Sequence, residues 1–336
     1  YLARVQGPDG YWGDTEAFDE KYGQMAVGKT GLCLLAFLGA SHTPASGSQY
    51  SENTDRAVRA LLAGQDAETG HFGDTTSYSH AIATYALAEC YALTDDSRLR
   101  APLQRAVDWI VRHQHMQDDV RFKGGWGYYY PDGRSYDPWP RTSVTVWQVM
   151  ALESARVGGL RVPDRTFTDA RTFLVNAYDK SRGVVLYSHA PARLNSAYAT
   201  LPGSTPAGLF ALSLLGKDLG AGEYDRAISW VLDKAPAGFR EGDMDAFVNE
   251  AKGNLYFWYY STLALFRVGG DSWEHWNRRL QDTLLPAQSQ DGSWKPISLY
   301  ARFAGDTEAD RSYTTAMCVL SLEVYYRYFT PLLQVR

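Results

Sequence analysis

The chain has 336 residues, a formal net charge of −5, 45% hydrophobic and 21% charged residues. These are ordinary values for a folded globular protein, and they exclude wholesale disorder. The negative charge, without a long run of one sign, disfavours non-specific binding to nucleic acid or to an anionic membrane surface. No apolar run reaches the roughly 18 residues of a membrane span.

The three cysteines, Cys33, Cys90 and Cys318, lie far apart and form no Cys-x-x-Cys pair. The sequence therefore indicates neither a cysteine zinc site nor a disulfide framework. The chain begins at Tyr1, inside an expected helix, and not at a methionine. We therefore expect a trimmed or processed part of a longer chain, with any targeting segment outside it.

Two kinds of helical segment alternate along the chain. The first has apolar residues at helical spacing with charges between them, which predicts outer helices that bury one face. The second is apolar nearly all round, which predicts inner helices that are buried on both sides. In chain order, beginning with a shortened outer segment, they are 1–6, 27–40, 54–65, 79–93, 102–114, 143–159, 167–178, 205–216, 224–234, 255–270, 273–288 and 313–328.

This alternation predicts an all-α protein with the (α/α)6 toroid fold, a double-walled helical barrel. Each inner helix is then buried by the outer wall, as the physics of repeat proteins requires. The inner segments start at intervals of roughly 50 to 65 residues, which indicates an internal repeat. We expect a single toroid domain over residues 1–336, made of about six helix-pair repeats.

A short glutamine–aromatic string lies between outer and inner segments. It reads QGPDGYWG at 6–13, QDAETGHFG at 65–73 and QSQDGSW at 288–294, with a looser version at Gln114 and GGWG (124–127). The Asp-Gly or Thr-Gly pair makes a turn, the ring packs over a helix end, and the glutamine satisfies an exposed helix terminus. Its recurrence predicts a structural role. A fainter version is SRGVVLYS at 181–188.

These strings between alternating helices resemble the QW repeats of the terpenoid cyclase and protein prenyltransferase superfamily, the α/α toroids. The resemblance covers essentially the whole chain and is strongest to squalene–hopene-cyclase-like proteins. It implies a central funnel that holds an isoprenoid chain or a protein partner. It implies QW-type turns between outer and inner helices as well.

The family's catalytic motifs are incomplete in this chain. Hopene-type cyclases protonate an alkene with an Asp-x-Asp-Asp motif, and the nearest string here, EGDMDAF, carries Asp243 and Asp245 but then Ala246. We keep Asp243 and Asp245 as candidate catalytic residues. The stretch that resembles the zinc-histidine region of prenyltransferases has Thr314 and Thr315 instead, so we expect no metal and no cofactor. Whether the protein is an enzyme stays open at this point.

Candidate ligand-binding residues lie where inner helices begin and in the longest insertion between repeats. His80 opens an inner segment, where an imidazole serves as acid, base or ligand contact, or as a packing and capping group. Loops carry function more often than the helices that hold them, so the aromatic loop 128–144 forms either one lip of a pocket or a segment that its own rings pin to the rim. The candidates are His80, Trp126, Tyr130, Asp137, Trp139 and Arg141, together with a wall of Tyr256, Tyr259, Tyr260 and Tyr313.

Three functions are compatible with these features. The first is binding of an isoprenoid or another apolar small molecule in the central funnel, with or without degenerate cyclase activity. The second is a non-catalytic scaffold that binds a protein partner at its rim. The third is a carbohydrate-active (α/α)6 hydrolase or lyase, which requires two carboxylates in an open cleft. The glutamine–aromatic strings favour the first over the third.

Overall fold

The computed structural model describes residues 1–16, 18–19, 23–73, 76–130, 139–190 and 197–325. Within these ranges the helices are α1 (Leu2–Val5), α2 (Ala26–Gly39), α3 (Ser51–Ala63), α4 (Ser77–Thr94), α5 (Ser97–Arg112), α6 (Thr142–Val157), α7 (Asp164–Ala177), α8 (Ser204–Leu214), α9 (Asp225–Leu232), α10 (Met244–Asn249), α11 (Leu255–Val268), α12 (Gly270–Leu284), α13 (Leu299–Phe303) and α14 (Ser312–Leu322). None of the helices in this part of the chain is long and apolar enough to cross a membrane.

Extended structure is limited in the described ranges to two short antiparallel hairpins. Strand β1 (Phe18–Asp19) pairs with β2 (Gly23–Gln24), and β3 (Tyr178–Asp179) pairs with β4 (Val184–Val185). Single 3-10 turns cover Ala197–Thr200 and Leu285–Ala287. The predicted all-α class is therefore confirmed.

Six of the described helices form a closed inner wall. Each contacts its neighbours in the order α2, α4, α6, α8, α11 and α14, and α14 returns to contact α2. The outer wall contains α3, α5, α7, α9 and α12, and the one-turn α1 packs beside α14. This is the (α/α)6 toroid that the alternation of segments predicted, with the first outer helix cut short.

Close packing in the inner wall depends on small residues. A methyl group added at Gly28 of α2 would lie 2.8 Å from Ser79 Oγ of α4, and one added at Gly31 would lie 2.9 Å from Ile82 Cγ2. Both distances are shorter than a normal van der Waals contact. The two glycines therefore let the backbones of α2 and α4 approach each other.

The glutamine–aromatic turns repeat one set of hydrogen bonds. In each of three turns the tryptophan backbone N–H donates to a threonine hydroxyl near the start of the following inner helix. The indole N–H donates to a main-chain carbonyl of the preceding outer helix, which satisfies an orphan group near the helix end. The pairs are Trp12 with Thr30 (2.9 Å), Trp126 with Thr145 (3.0 Å) and Trp294 with Thr315 (3.3 Å).

Two of the other three repeats use the same connection with different residues. The backbone N–H of Val185, in the faint string at 181–188, donates to Thr205 Oγ1 over 3.1 Å. In the second repeat the backbone N–H of Phe72 donates to His80 Nδ1 over 3.3 Å. His80 therefore takes the structural position that threonine holds in four other repeats.

Candidate functional site

A cavity of about 200 Å3 lies at the N-terminal ends of the six inner helices. The first turns of α2, α4, α6, α8, α11 and α14 all contribute to its lining. Most of the lining is apolar, and aromatic rings dominate it. The described rings that line it are Tyr78, Tyr128, Trp147, Tyr187, Tyr256, Tyr300 and Tyr313, and the aliphatic side chains are Met25, Leu32, Ile82, Leu201, Ala304 and Met317.

Four of the lining tyrosines hydrogen-bond to one another or to Ser143 through their hydroxyl groups. The hydroxyl oxygens of Tyr128 and Tyr187 lie 2.5 Å apart. Tyr78 donates to Ser143 Oγ over 2.5 Å, and Tyr256 donates to the Ser143 carbonyl over 3.2 Å. Because these polar ends are paired with the wall itself, the rings present an apolar surface to the cavity.

The tyrosine wall is uncharged at neutral pH. Burial raises the pKa of Tyr78, Tyr128 and Tyr256 well above the ordinary value of 10.0. Burial likewise raises the pKa of Tyr313. Desolvation disfavours the phenolate in each case, so none of these groups supplies a base or a negative charge near pH 7.

A buried ion-pair cluster lies at one side of the cavity, where the ring closes. Lys29 Nζ of α2 lies 3.2 Å from Asp306 Oδ1 and 2.8 Å from Asp310 Oδ2. Burial alone would lower the pKa of Lys29, but the two carboxylates outweigh burial and the pKa is raised. Asp306 also accepts the backbone N–H groups of Tyr313 and Thr314 and so caps α14.

Arg141 lies behind the cavity wall and not in its lining. Its guanidinium carbon is 5.7 Å from the ring centre of Tyr128 and 5.8 Å from that of Tyr187. Its Nη1 donates to the carbonyl of Trp139, and a weaker contact of 3.4 Å reaches Ser188 Oγ. Arg141 therefore supports the Tyr128–Tyr187 pair through cation–π contacts.

The predicted aromatic wall is divided between the cavity and the layer behind it. Tyr256 and Tyr313 line the cavity. Tyr259 stacks on Trp147 with the ring centres 6.0 Å apart, and Tyr260 meets the same ring edge-on at 5.6 Å. Tyr259 and Tyr260 thus hold Trp147 in place, and they are not part of the lining.

Two other candidates, His80 and Tyr130, lie in a separate buried cluster between the walls. His80 is fully buried, and its ring centre is 5.7 Å from that of Tyr130 and 4.8 Å from that of His71. Burial, followed by the neighbouring His71, lowers the pKa of His80 well below 6.5, so the ring is neutral. Trp126 is buried in its turn. The geometry of His80 matches the packing and capping alternative.

The remaining candidates lie away from the cavity lining or outside the described residues. Asp243 is the N-cap of α10, where its Oδ1 accepts from the Ala246 N–H over 2.8 Å. Asp245, in the same helix, accepts from Asn249 Nδ2 over 2.6 Å. Trp139 packs edge-on against Phe122 at 5.0 Å. Asp137 lies outside the described residues. The catalytic role of Asp243 and Asp245 stays a prediction.

Several cavity residues were not among the sequence candidates. Trp147 and Ser204 stand within the first two turns of inner helices, and Tyr128, Tyr187 and Tyr300 come from loops or from the short α13. Trp147 and Ser204 could have been found from the sequence. Once the inner helices are assigned, the first turns of all of them must lie at one end of the funnel, so their residues are candidates for the lining.

A second and larger cavity, of about 590 Å3, lies at the opposite end of the ring. It is formed near the C-terminal ends of α6, α8 and α11 and the start of α7, and charges of both signs line it. Glu153 there is paired with Arg156 at 2.7 Å. The two ends of the toroid therefore differ in chemistry, one apolar and aromatic, the other polar and charged.

Solved structures with the same architecture cover nearly the whole chain. A variant of the type II terpene cyclase MstE from Scytonema, in complex with geranylgeranyl dihydroxybenzoate, matches with a TM-score of 0.62 and 15% identity over 97% of this chain and 94% of its own. An α-1,6-mannanase of Salegentibacter, in complex with α-1,6-mannotriose, matches with a TM-score of 0.64 and 9% identity over 96% of each chain.

A possible member of the GH105 family from Salmonella enterica matches with a TM-score of 0.64 and 14% identity over 98% of this chain and 91% of its own. No protein-family model and no curated protein matches the sequence. At these identities the likeness establishes the fold alone, which is the (α/α)6 toroid shared by terpene cyclases and carbohydrate-active enzymes.

Proposed function

We propose that the protein binds one small apolar molecule of isoprenoid type in the cavity at the N-terminal ends of its inner helices. The observation that carries this proposal is the composition of the lining, in which seven described rings and six aliphatic side chains surround the cavity. Such a lining stabilises an apolar ligand by removing its surface from water. The toroid of a terpene cyclase gives the isoprenoid class additional support.

The cavity volume limits the size of the ligand. Ligand pockets usually span roughly 300 to 1,000 Å3, whereas a dry cavity of about 150 Å3 accepts benzene. A volume of about 200 Å3 therefore takes on the order of ten carbon atoms. A chain of about twenty or thirty carbons exceeds this volume, so a ten-carbon prenyl unit or a single ring is the favoured occupant.

The carbohydrate-active alternative has less support. Retaining and inverting glycosidases need two carboxyl groups about 5 to 9.5 Å apart around the scissile bond. Among the described residues that line the aromatic cavity there is no Asp or Glu. Asp306 and Asp310, which lie beside the cavity, are both bound to Lys29.

Organic extraction of the purified protein, followed by mass spectrometry, tests the proposal. We expect an apolar molecule near one equivalent, bound by the wild type after incubation with a mixture of monoterpenes. Leu201→Trp fills the cavity and should abolish binding, whereas Leu285→Trp, at a site that is 55% exposed and outside the cavity, should leave binding intact. Clean extracts from all three proteins would overturn the proposal and favour the protein-binding scaffold.

A further inference from the structure

One polar group in the aromatic cavity has no partner. Ser204, the first residue of α8, contributes to the cavity lining and is 1% exposed. Its hydroxyl has no hydrogen-bond partner among the described residues. A buried hydroxyl without a partner is costly, and native proteins pair nearly all such groups with protein, water or ligand. The unpaired hydroxyl of Ser204 therefore indicates that a polar group of a ligand forms its hydrogen bond.

Its neighbour Thr205 makes the contrast clear. Thr205 Oγ1 accepts the backbone N–H of Val185 over 3.1 Å and so serves the turn between the walls. Successive residues of a helix point about 100° apart, so Ser204 faces another direction from Thr205. One hydroxyl at the start of α8 is used in packing, and the other, on a residue that lines the cavity, has no partner among the described residues.

The start of α8 also supplies a favourable electrostatic environment for an oxygen atom. The N-cap residue is Gly203, which has no side chain to cap the helix. Asn254 caps α11 and Asp306 caps α14, whereas α2, α4 and α6 lack a side-chain cap as α8 does. The uncapped N-terminus of α8 carries a partial positive charge that attracts an electron-rich atom. Gly203 also lets the Tyr256 ring lie beside Ser204, because a methyl group there would be 2.5 Å from Tyr256 Cδ1.

We propose that Ser204 anchors a hydroxyl group of the ligand, so that the cavity selects an alcohol over a hydrocarbon of the same shape. This inference rests on the proposed apolar ligand and adds a substrate class to it. The serine hydroxyl has both its donor and its acceptor free, and a ligand hydroxyl satisfies both. The aromatic and aliphatic wall then holds the rest of the molecule, so the preferred ligand is a small terpenoid or ring alcohol.

Phenol and toluene, which differ by a hydroxyl in place of a methyl group, test the inference by competition or direct titration. Relative to the wild type, Ser204→Ala should weaken phenol binding by roughly two- to tenfold, the effect of one hydrogen bond, and leave toluene within about twofold. Comparing variants cancels the different hydration of the two probes in water.

Ser261→Ala is the matched control. Ser261 of α11 is also fully buried, its hydroxyl likewise has no partner within the described part of the chain, and it does not line the cavity. This control should change neither affinity. If Ser204→Ala leaves the phenol-to-toluene ratio of the wild type unchanged, the anchoring role is wrong while the apolar cavity stands. If neither probe binds the wild type, the proposed function itself fails.

Discussion

Lys29 Nζ lies 3.2 Å from Asp306 Oδ1, and this ion pair joins the first inner helix to the loop before the last one. The two side chains are almost completely buried, and Asp310 adds a second carboxylate at 2.8 Å. A toroid must connect its first repeat to its last, and these are the elements that meet where the ring closes. The cavity lies beside this junction, so closure of the ring and the shape of the site depend on the same residues.

Removing the lysine should therefore destabilise the whole ring. Lys29→Met leaves two carboxylates at the junction without their counter-ion, and breaking a buried pair from one side costs about 3–5 kcal/mol. Chemical denaturation should show this loss in the free energy of unfolding. Asp55→Asn, which weakens the exposed contacts of Asp55 with Arg59 and Arg98, should cost less than about 1 kcal/mol. Equal losses in both variants would contradict the closing role of Lys29.

The position of His80 predicts which substitutions it tolerates. His80→Thr supplies a hydroxyl in the place that Thr30, Thr145, Thr205 and Thr315 hold in four other repeats. His80→Val has the same shape without an acceptor for the Phe72 N–H. We expect the threonine variant to unfold with a free energy about 1 kcal/mol higher than the valine variant. A valine variant as stable as the threonine variant would refute the structural equivalence.

His80 also predicts a pH dependence of stability. Burial lowers its pKa in the folded state well below 6.5, while in the unfolded chain it titrates near 6.5. The unfolded state thus binds the extra proton first, and stability falls as the pH drops below about 6.5, by at most about 1.4 kcal/mol per pH unit. The wild type should lose stability relative to His80→Thr between pH 6.5 and 5. Parallel curves for the two proteins would count against a buried neutral imidazole.

Substitution of Gly203 by alanine should change the shape of the cavity without changing the backbone conformation. Its φ and ψ are −62° and −21°, which alanine adopts readily. A methyl group there would lie 2.5 Å from Tyr256 Cδ1, so Gly203→Ala must displace the ring that lines the cavity. We expect ligand affinity to fall at least severalfold, as measured by titration calorimetry. Gly220→Ala, where the nearest atom is 3.4 Å away, should bind like the wild type.

The architecture could be predicted from the sequence because its signals are local. Segments 79–93 and 143–159 are apolar all round, and this pattern alone predicts a buried helix. The strings around Trp12, Trp126 and Trp294 each predict a single turn. The inner wall follows from these patterns without knowledge of distant contacts. Two short helices, α10 and α13, were not predicted, because each is only five or six residues long.

The residues that line the aromatic cavity were harder to predict from the sequence than the helices. Tyr128 and Tyr187 belong to different loops and meet only through the fold, with their hydroxyl oxygens 2.5 Å apart. Ser204 gave no signal of its own, since a serine at a helix start is ordinary. Tyr256 reached the lining while Tyr259 and Tyr260 did not, because the rotation of α11 about its axis is set by packing against α6 and α8 and not by composition.

The most direct test of the central claim is anomalous diffraction from crystals soaked with bromocyclohexane, a ring small enough for a cavity of about 200 Å3. If the aromatic cavity binds a small apolar molecule, the wild type should show one strong bromine peak among the rings of Tyr78, Trp147 and Tyr256. Leu201→Trp should show no peak there. A protein with well-ordered rings and no bromine among them would contradict the account. A peak found instead in the charged cavity at the opposite end of the ring would contradict it equally.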